Sequence, residues 1–314
     1  MKKVNLGIIG VGRWGVRYLD TAERIWPDDS VQFKYGAGNS PGWTTSRTDN
    51  IPENFFEYWE DLICRPDIDG VVIATPATTH YQIAAVALAR KLPVLIEKPA
   101  ALSSRETYGL LRLATQMKTV ALVGHQHLHS PAFETMRKLL MGNTIRKIEC
   151  VAGGPGPIRD SCNALWDWAP HDLAMIFTLV PLENEDLIKK LLTHVVKRAS
   201  VVNGPGGGQT WQFSLALSHQ GHPVDVEVKI SNQAQDKERR LVVTTTDNLA
   251  LTYDDRAEQK LTVNGENIPV SGELALDRQL RGFVRAIENG PAHQADLTLA
   301  LRIAETIESI EESV

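Results

Sequence analysis

The sequence is poor in cysteine and has no long apolar run. Its three cysteines, Cys64, Cys150 and Cys162, are odd in number and widely spaced, which argues against a disulfide framework and favours the reducing cytoplasm. No apolar stretch approaches the roughly 20 residues that span a bilayer, so we expect no membrane segment. The apolar stretch after Met1-Lys2-Lys3 is interrupted by glycines, and for that reason we expect no signal peptide.

The sequence also lacks an excess of charge of either sign. Its 33 basic and 38 acidic residues give a formal net charge of −5, and we find no long run of like charge. Nothing in the sequence therefore predicts binding to nucleic acid or to an anionic membrane. With 314 residues, of which 43% are hydrophobic, the chain is long enough for a well-buried core and for two domains.

Short apolar segments alternate with helical patterns through residues 1–124. Strands that are apolar throughout and separated by helices indicate a parallel sheet covered on both faces. We therefore predict a doubly wound (Rossmann) α/β domain over these residues. The predicted strands are Val4–Ile9, Val31–Ala37, Gly70–Ala74, Pro93–Ile96 and Thr119–Val123, and the predicted helices are Arg13–Ile25, Thr78–Arg90 and Ser104–Met117.

Residues 125–314 follow a different pattern. Apolar and polar residues alternate over residues 211–218 and 224–231, which is typical of strands with one buried face and one wetter face. Asn264-Gly265 is a hairpin signal, and two apolar stripes near the C-terminus predict two closing helices. We therefore predict an α+β domain with an open-faced, mostly antiparallel sheet.

A glycine motif follows the first predicted strand and opens the first predicted helix: Gly10-Val11-Gly12-Arg13-Trp14-Gly15. In this context, Gly10 can make the tight turn, Gly12 lets the backbone approach a pyrophosphate, and Gly15 lets the helix pack close to the strand. The N–H groups at the helix start would then face the phosphates. The motif predicts a dinucleotide site, and the alternative is a glycine-rich turn without a ligand.

The acidic residue that usually holds the ribose 2′-hydroxyl in an NAD site is missing. At that place the chain reads Gly36-Ala37-Gly38-Asn39-Ser40, and Arg47 lies a few residues further on. Such a site does not repel a 2′-phosphate, so the sequence predicts NADP no less than NAD. The alternative is that Asn39 or Ser40 bonds the ribose hydroxyl.

Further motifs follow in order along the chain: Ala74-Thr75-Pro76 with His80, Glu97-Lys98-Pro99, Gly124-His125, and Asp167-Trp168-Ala169-Pro170-His171. Together with the glycine motif, they resemble the signature set of the Gfo/Idh/MocA oxidoreductases, the family of glucose–fructose oxidoreductase and inositol dehydrogenase. The resemblance covers essentially the whole chain. The chain departs from the family pattern at Ala174, where the family commonly carries another acid.

The resemblance implies that Lys98 is the shared catalytic residue and that its bond to Pro99 is often cis. It implies that His171 donates or accepts a proton while Asp167 orients it. Lys98, Asp167 and His171 would then lie at the substrate, and we expect His125 there as well. The residues expected at the cofactor are Gly10, Val11, Gly12, Arg13, Trp14, Gly15, Asn39, Ser40, Thr75, Pro76, His80, Glu97 and Lys98. For His80, a helix-capping or packing role is the alternative.

The residues themselves are consistent with this chemistry. Lys98 follows a buried predicted strand, at the edge where doubly wound sheets bind ligands. A partly desolvated lysine beside a cationic nicotinamide can accept a proton as a neutral amine. The alternative for Glu97-Lys98 is a surface ion pair. Asp167 and His171 are four residues apart and share a face if helical, and the alternative is a capping aspartate with a structural histidine.

His125, His127 and His129 alternate, so they would line one face of a strand and invite a metal site. We find no matching cluster of carboxylates or cysteines and expect no metal. The run ends in Ser130-Pro131, which predicts a strand end that leads into a helix. We expect His125 near the substrate and structural roles for the other two histidines.

These observations together predict an NAD(P)-dependent oxidoreductase. It would move a hydride between nicotinamide and a hydroxyl-bearing carbon of a sugar, sugar derivative or cyclic polyol, with Lys98 and His171 as a proton relay. The alternative is a non-catalytic protein that senses NAD(P) or a sugar. Residues 1–124 would bind the dinucleotide, and residues 125–314 would bind substrate and form a homodimer or homotetramer.

Overall fold

The computed structural model describes residues 3–38, 50–155, 158, 161–181, 196–290 and 295–314. Most of these residues lie in β-strands and α-helices. The strands are β1 (Val4–Ile9), β2 (Val31–Ala37), β3 (Asn54–Phe56), β4 (Gly70–Ile73), β5 (Val94–Ile96), β6 (Ala121–Val123), β7 (Ile145–Gly153), β8 (Val196–Asn203), β9 (Gln209–His219), β10 (His222–Ser231), β11 (Glu238–Thr245), β12 (Ala250–Asp254), β13 (Leu261–Val263) and β14 (Glu266–Asn267). The α-helices are α1 (Arg13–Ile25), α2 (Trp59–Ile63), α3 (Ala77–Ala89), α4 (Ser104–Met117), α5 (Pro131–Leu139), α6 (Ala164–Leu179), α7 (Ala275–Asn289) and α8 (Ala295–Glu312).

The chain forms two compact units, and each contains two separate segments. Unit 1 consists of Met1–Gly124 and Leu274–Leu301, and unit 2 consists of His125–Glu273 and Arg302–Val314. The expectation of two continuous domains is therefore wrong for residues 274–301. The physical reason is burial: α7 places its apolar stripe in the core of unit 1, where it covers the parallel sheet. The residues of this shared core include Leu6, Ile8, Val72, Leu95, Leu280, Phe283 and Val284.

Unit 1 contains a six-stranded sheet in the order β3-β2-β1-β4-β5-β6, and every paired strand runs parallel. This arrangement confirms the predicted doubly wound sheet, with helices that follow the strands as expected. The predicted ends of strands and helices differ from the observed ends by two residues at most. Strand β3 and the short helix α2 were not predicted, because a three-residue strand leaves no readable period.

Unit 2 contains an eight-stranded sheet in the order β14-β13-β12-β11-β7-β10-β9-β8. Only the pairing of β7 with β10 is parallel, so the predicted, mostly antiparallel sheet is confirmed. On β10, Val224, Val226 and Val228 are buried while the residues between them are exposed, as the alternation predicts. Strand β8 was not predicted, because it lies at the sheet edge and buries no face.

All three cysteines lie in the described part of the chain, and none of them forms a disulfide. Within that same part of the chain, no helix combines the length and the hydropathy needed to cross a bilayer.

Near the start of α8, the carboxylate of Asp296 accepts a hydrogen bond from the Val123 N–H at 3.2 Å. Asp296 as a residue is half-buried, but burial of its carboxyl group raises the pKa to about 6 from an ordinary value of 3.8. Between these two values the folded state keeps a proton that the unfolded state has lost. The free energy of unfolding therefore falls as pH rises through this window and is constant above it.

Replacing Asp296 by asparagine should stabilise the protein at neutral pH. The amide removes the cost of a buried charge, which we expect to be about 2 kcal/mol, and it can still accept from Val123. Urea unfolding at about pH 7.5 and about pH 3 should show this gain at the higher pH only, since the Asp296 carboxyl is protonated in both the folded and the unfolded state at the lower one. An equal gain at both pH values would contradict the assignment.

Candidate active site

The sequence motifs of unit 1 lie side by side at the carboxyl edge of its parallel sheet. The first residue of each motif donates its N–H to the carbonyl oxygen of the last residue of a neighbouring strand. The bonds run from Gly10 N to Ala37 O (2.9 Å), Ala74 N to Ile9 O (2.8 Å), Glu97 N to Ile73 O (2.9 Å) and Gly124 N to Ile96 O (2.7 Å). The glycine turn, the Thr75 segment and the Lys98 segment therefore follow β1, β4 and β5 at one edge. Because the strand order changes direction at β1, this is the place where doubly wound sheets bind ligands.

The turn after β1 requires glycine at Gly10 and at Gly15. Gly10 has a φ of +89°, and a Cβ added there would lie 2.7 Å from the Thr75 nitrogen. A Cβ at Gly15 would lie 2.1 Å from the Gly10 oxygen, so α1 packs against the turn more closely than any side chain allows. The turn thus brings the start of α1 directly to the sheet edge.

The start of α1 fits an anionic group. Gly12 is its N-cap and supplies no capping side chain, and its first turn contains no acidic residue. Arg13 and Arg17 are exposed nearby, and the Arg17 guanidinium lies 4.6 Å from the Trp14 ring centre. N–H groups at a helix start, together with nearby cations, are what a pyrophosphate requires. The residues present therefore fit the dinucleotide that the glycine motif predicts.

Lys98 is half-buried, and its peptide bond to Pro99 is cis, as the resemblance implied. A buried network holds the chain just before it. The Glu97 carboxylate accepts from the Lys98 N–H at 3.2 Å and from the Tyr18 hydroxyl at 2.7 Å, and Gln279 donates to that hydroxyl at 2.8 Å. Burial raises the pKa of Glu97, although the bond from Tyr18 and the charge of Lys98 oppose this shift. Glu97 thus connects the lysine segment to α1 and α7, and the alternative of a surface ion pair is wrong because Glu97 is buried.

His80 lies in the first turns of α3 and is 1% exposed. Its Nδ1 lies 2.8 Å from the Pro99 oxygen and its Nε2 lies 2.9 Å from the Thr75 oxygen. Burial lowers the pKa of His80, so the neutral ring is favoured and donates to one of these two carbonyls. Both ring nitrogens face backbone oxygens, and His80 joins the Thr75 and Lys98 segments. This geometry favours the packing alternative over a direct contact with the cofactor.

Asn39, Ser40 and Arg47, which bear on the ribose 2′ position, lie outside the described residues. The expectation that the site accepts NADP no less than NAD stays a prediction.

In unit 2, helix α6 carries Asp167 and His171 one turn apart, as the spacing predicts. Asn163 is the N-cap, and its side chain accepts from the Trp166 N–H at 3.1 Å. Asp167 therefore does not cap this helix, and the capping alternative is wrong. Asp167 is half-buried, whereas His171 is 5% exposed.

Three histidines lie together in unit 2. The ring centres of His127 and His171 are 4.7 Å apart at an angle of 83°, and those of His125 and His171 are 6.5 Å apart at 80°. The expected strand end in this run is wrong, because Gln126–His129 is a 3₁₀ helix, with Leu128 N bonded to His125 O. The helix expected after it is confirmed, since α5 begins at Pro131. The histidine rings pack edge to face. Among the described residues, no group of three or more His, Cys, Asp or Glu side chains could hold a metal ion.

The residues beside His171 are engaged within unit 2. Asp172 is fully buried and pairs with Arg239 at 2.7 Å, and the Arg239 guanidinium lies 5.8 Å from the Trp168 ring centre. Ala174, where the family commonly has an acid, is also fully buried. Asp172 is therefore the ion-pair partner of Arg239. Trp166 donates from its indole N–H to Glu311 at 3.2 Å.

Two side chains of these sites were not expected from the sequence. Tyr18 and Gln279 carry no motif, and each stands in an ordinary helix pattern. The one available signal is a polar residue within an apolar stripe, as at Gln279, which is 1% exposed beside Leu280.

Comparison with known proteins agrees with this geometry. Residues 4–125 match the GFO_IDH_MocA family, described as an oxidoreductase family with an NAD-binding Rossmann fold. The chain is 30% identical over 182 residues to rhizopine catabolism protein MocA of Rhizobium meliloti, covering 56% of this chain and 55% of that protein. It is 27% identical over 177 residues to inositol 2-dehydrogenase of Rhodococcus jostii, covering 54% of this chain and 47% of that protein. The chain spans about half the length of the relatives it matches.

Similarity to a solved structure extends further. A structure from Magnetospirillum magnetotacticum MS-1 superposes with a TM-score of 0.83 at 27% identity, covering 98% of this chain and 99% of that one. Residues 4–125 therefore match the NAD-binding Rossmann domain of the Gfo/Idh/MocA oxidoreductase family.

Proposed function

We propose that the protein is an NAD(P)-dependent dehydrogenase or reductase that acts on a hydroxyl-bearing carbon of a sugar, sugar derivative or cyclic polyol. The observation that supports this proposal most is the common edge of unit 1. There the glycine turn, the Thr75 segment and the half-buried Lys98 follow neighbouring strands. The name of one relative, inositol 2-dehydrogenase, supports a cyclic polyol as one member of the substrate class.

For each hydride that is transferred, the protein must also accept or donate one proton of the substrate hydroxyl. When bound, the nicotinamide dinucleotide supplies the hydride acceptor or donor. In the oxidation direction, the Lys98 amine takes the hydroxyl proton as the carbon–oxygen double bond forms, and it returns the proton in reduction. His171 shares this proton transfer, and Asp167, one turn earlier on α6, orients the imidazole and bonds a substrate hydroxyl. The Glu97 network and His80 hold the backbone on either side of Lys98.

The cofactor is the first thing to test. Thermal unfolding with NAD, NADH, NADP and NADPH should show stabilisation, because a ligand at about 100 times its Kd adds about 2.7 kcal/mol. The matched pair NAD and NADP differs only in the 2′-phosphate, so the larger shift identifies the preferred form. Adenosine is the control for non-specific binding. Equal small shifts with all five compounds would overturn the proposed dinucleotide site.

Turnover distinguishes an enzyme from a sensor. The stabilising dinucleotide is mixed with myo-inositol and a panel of aldoses and polyols, and the ultraviolet absorbance of the reduced nicotinamide is followed. A sensor would bind the dinucleotide and reduce or oxidise nothing in either direction. We further infer a cytoplasmic homodimer or homotetramer, supported by the absence of disulfides among the three cysteines and by the open face of the sheet of unit 2, on which alternate residues of β10 are exposed. Light scattering tests the oligomeric state.

A further inference from the structure

The imidazole of His171 lies against a buried chain of side chains that the proposed reaction does not use. His127 contacts it edge to face, with ring centres 4.7 Å apart, and is itself 7% exposed. The His127 Nδ1 lies 2.9 Å from the hydroxyl of Tyr253, which is fully buried. That hydroxyl donates to Asp255 at 3.3 Å, and Lys260 donates to the same carboxylate oxygen at 3.0 Å. All of these residues belong to unit 2.

The charges of these linked side chains determine which of their atoms carry protons. Burial alone would raise the pKa of Asp255, but His127, Lys260 and Arg239 together hold it below its usual value. An ionised carboxylate only accepts, so the Tyr253 hydroxyl gives its one proton to Asp255. Burial, followed by the charge of Asp255, raises the pKa of Tyr253, so the hydroxyl keeps that proton. The His127 Nδ1 must then be the donor to Tyr253.

This pattern defines the orientation of the His127 ring. A ring whose Nδ1–H is bonded to a buried hydroxyl carries a proton at this nitrogen whether the ring is neutral or cationic, and it has little freedom to turn. His127 lies within the short 3₁₀ helix Gln126–His129 and belongs to no strand or long helix. Its hydrogen bond to Tyr253, on β12, therefore connects that short segment to the sheet of unit 2.

We propose that His127 is a positioning residue for His171, held in place through Tyr253 and Asp255. The inference rests on the proposed role of His171 in proton transfer. Proton transfer depends on the direction of the reacting imidazole, so a neighbour with a defined orientation raises the fraction of productive geometries. Loss of the Tyr253 hydroxyl should allow the His127 ring to turn. The His171 ring, which packs against His127, should then lose its fixed orientation.

The sharpest variant is Tyr253→Phe, which removes one oxygen and keeps the ring that packs at 6.2 Å from Phe133. We expect kcat to fall about tenfold, the effect of one lost hydrogen bond to an orienting group, while KM for dinucleotide and substrate stays within about twofold. The assay uses the full-length protein with its preferred dinucleotide and the panel compound that it turns over fastest. Tyr108→Phe is the control, since Tyr108 is 51% exposed in unit 1.

A second set of variants separates positioning from a structural role. His171→Asn and the double variant His171→Asn/Tyr253→Phe form a cycle with the wild type. If Tyr253 acts through His171, the tyrosine change lowers kcat in the wild-type background and leaves the residual kcat of His171→Asn unchanged. His127→Asn should reproduce the loss seen in Tyr253→Phe and should not add to it.

Two results would overturn the inference while leaving the proposed function intact. One is a normal kcat in Tyr253→Phe when His171→Asn has lost activity. The other is the same factor of loss in both backgrounds, which indicates a general effect on folding. A normal kcat in His171→Asn is a different result, because it contradicts the proposed function itself. Should Tyr253→Phe fail to fold, His127→Asn supplies the same comparison.

Discussion

Replacing Lys98 by methionine should lower kcat by about a thousandfold, the size expected for loss of a general acid or base. Methionine preserves most of the length of the side chain and removes the amine. Lys98 is half-buried between two supported segments, so the backbone should keep its place through Glu97 and His80. The dinucleotide Kd, measured by thermal shift, should change less than about tenfold, since the change affects the reacting groups more than binding.

The matched control is Lys91→Met, which removes an exposed lysine of the same unit. It should leave kcat unchanged within the error of the assay. If Lys98→Met kept kcat within about tenfold of the wild type, Lys98 would not be the proton-transfer group, because such groups contribute more than that. A parallel loss of dinucleotide binding would place the lysine at the cofactor and not at the reacting hydroxyl.

Replacing Arg239 by methionine should lower the free energy of unfolding by about 3–5 kcal/mol. The Asp172 side chain is 0% exposed and that of Arg239 is 8% exposed, so the variant leaves a carboxylate in the interior of unit 2 without its ion-pair partner. The cost of a buried charge that has lost its partner exceeds the net worth of the pair. Burial and the neighbouring Asp172 also raise the pKa of Cys150, while the charge of Arg239 opposes this shift.

Urea unfolding measures this loss, with Arg240→Met as the control. Arg240 is the next residue of the same strand and is exposed, so its replacement should cost well under about 1 kcal/mol. The double variant Asp172→Asn/Arg239→Met should recover much of the stability, because it removes both charges. Equal losses in Arg239→Met and Arg240→Met would show that the ion pair contributes nothing to folding.

The parts of the molecule that could be predicted from sequence are those with a local signal. The G-x-G-x-x-G turn between an apolar strand and a helix is such a signal, because backbone geometry at Gly10 requires glycine. The apolar runs of unit 1 and the alternation on β9 and β10 likewise follow from burial of two faces or of one. The shared helix face of Asp167 and His171 could also be predicted from their i, i+4 spacing, because this requires only that the segment be helical.

The supporting side chains could not be predicted, because their partners are remote in sequence. Tyr18 and Gln279 are bonded across 261 residues, and nothing local to either one indicates the other. His80 was expected at the cofactor, because a histidine in a motif gives no sign that both ring nitrogens face backbone oxygens. The histidine run was misinterpreted as a strand for a related reason: three residues of alternation fit a short 3₁₀ turn equally well.

The return of residues 274–301 to unit 1 has a consequence during synthesis. When Gly124 leaves the ribosome, the nascent parallel sheet still lacks α7, whose Leu280, Phe283 and Val284 belong to the same core. All of residues 125–273 must emerge before that apolar surface can be covered. The first segment of the chain to be made is thus among the last to complete its fold. For most of translation, chaperones or rapid synthesis must protect its exposed apolar surface from aggregation.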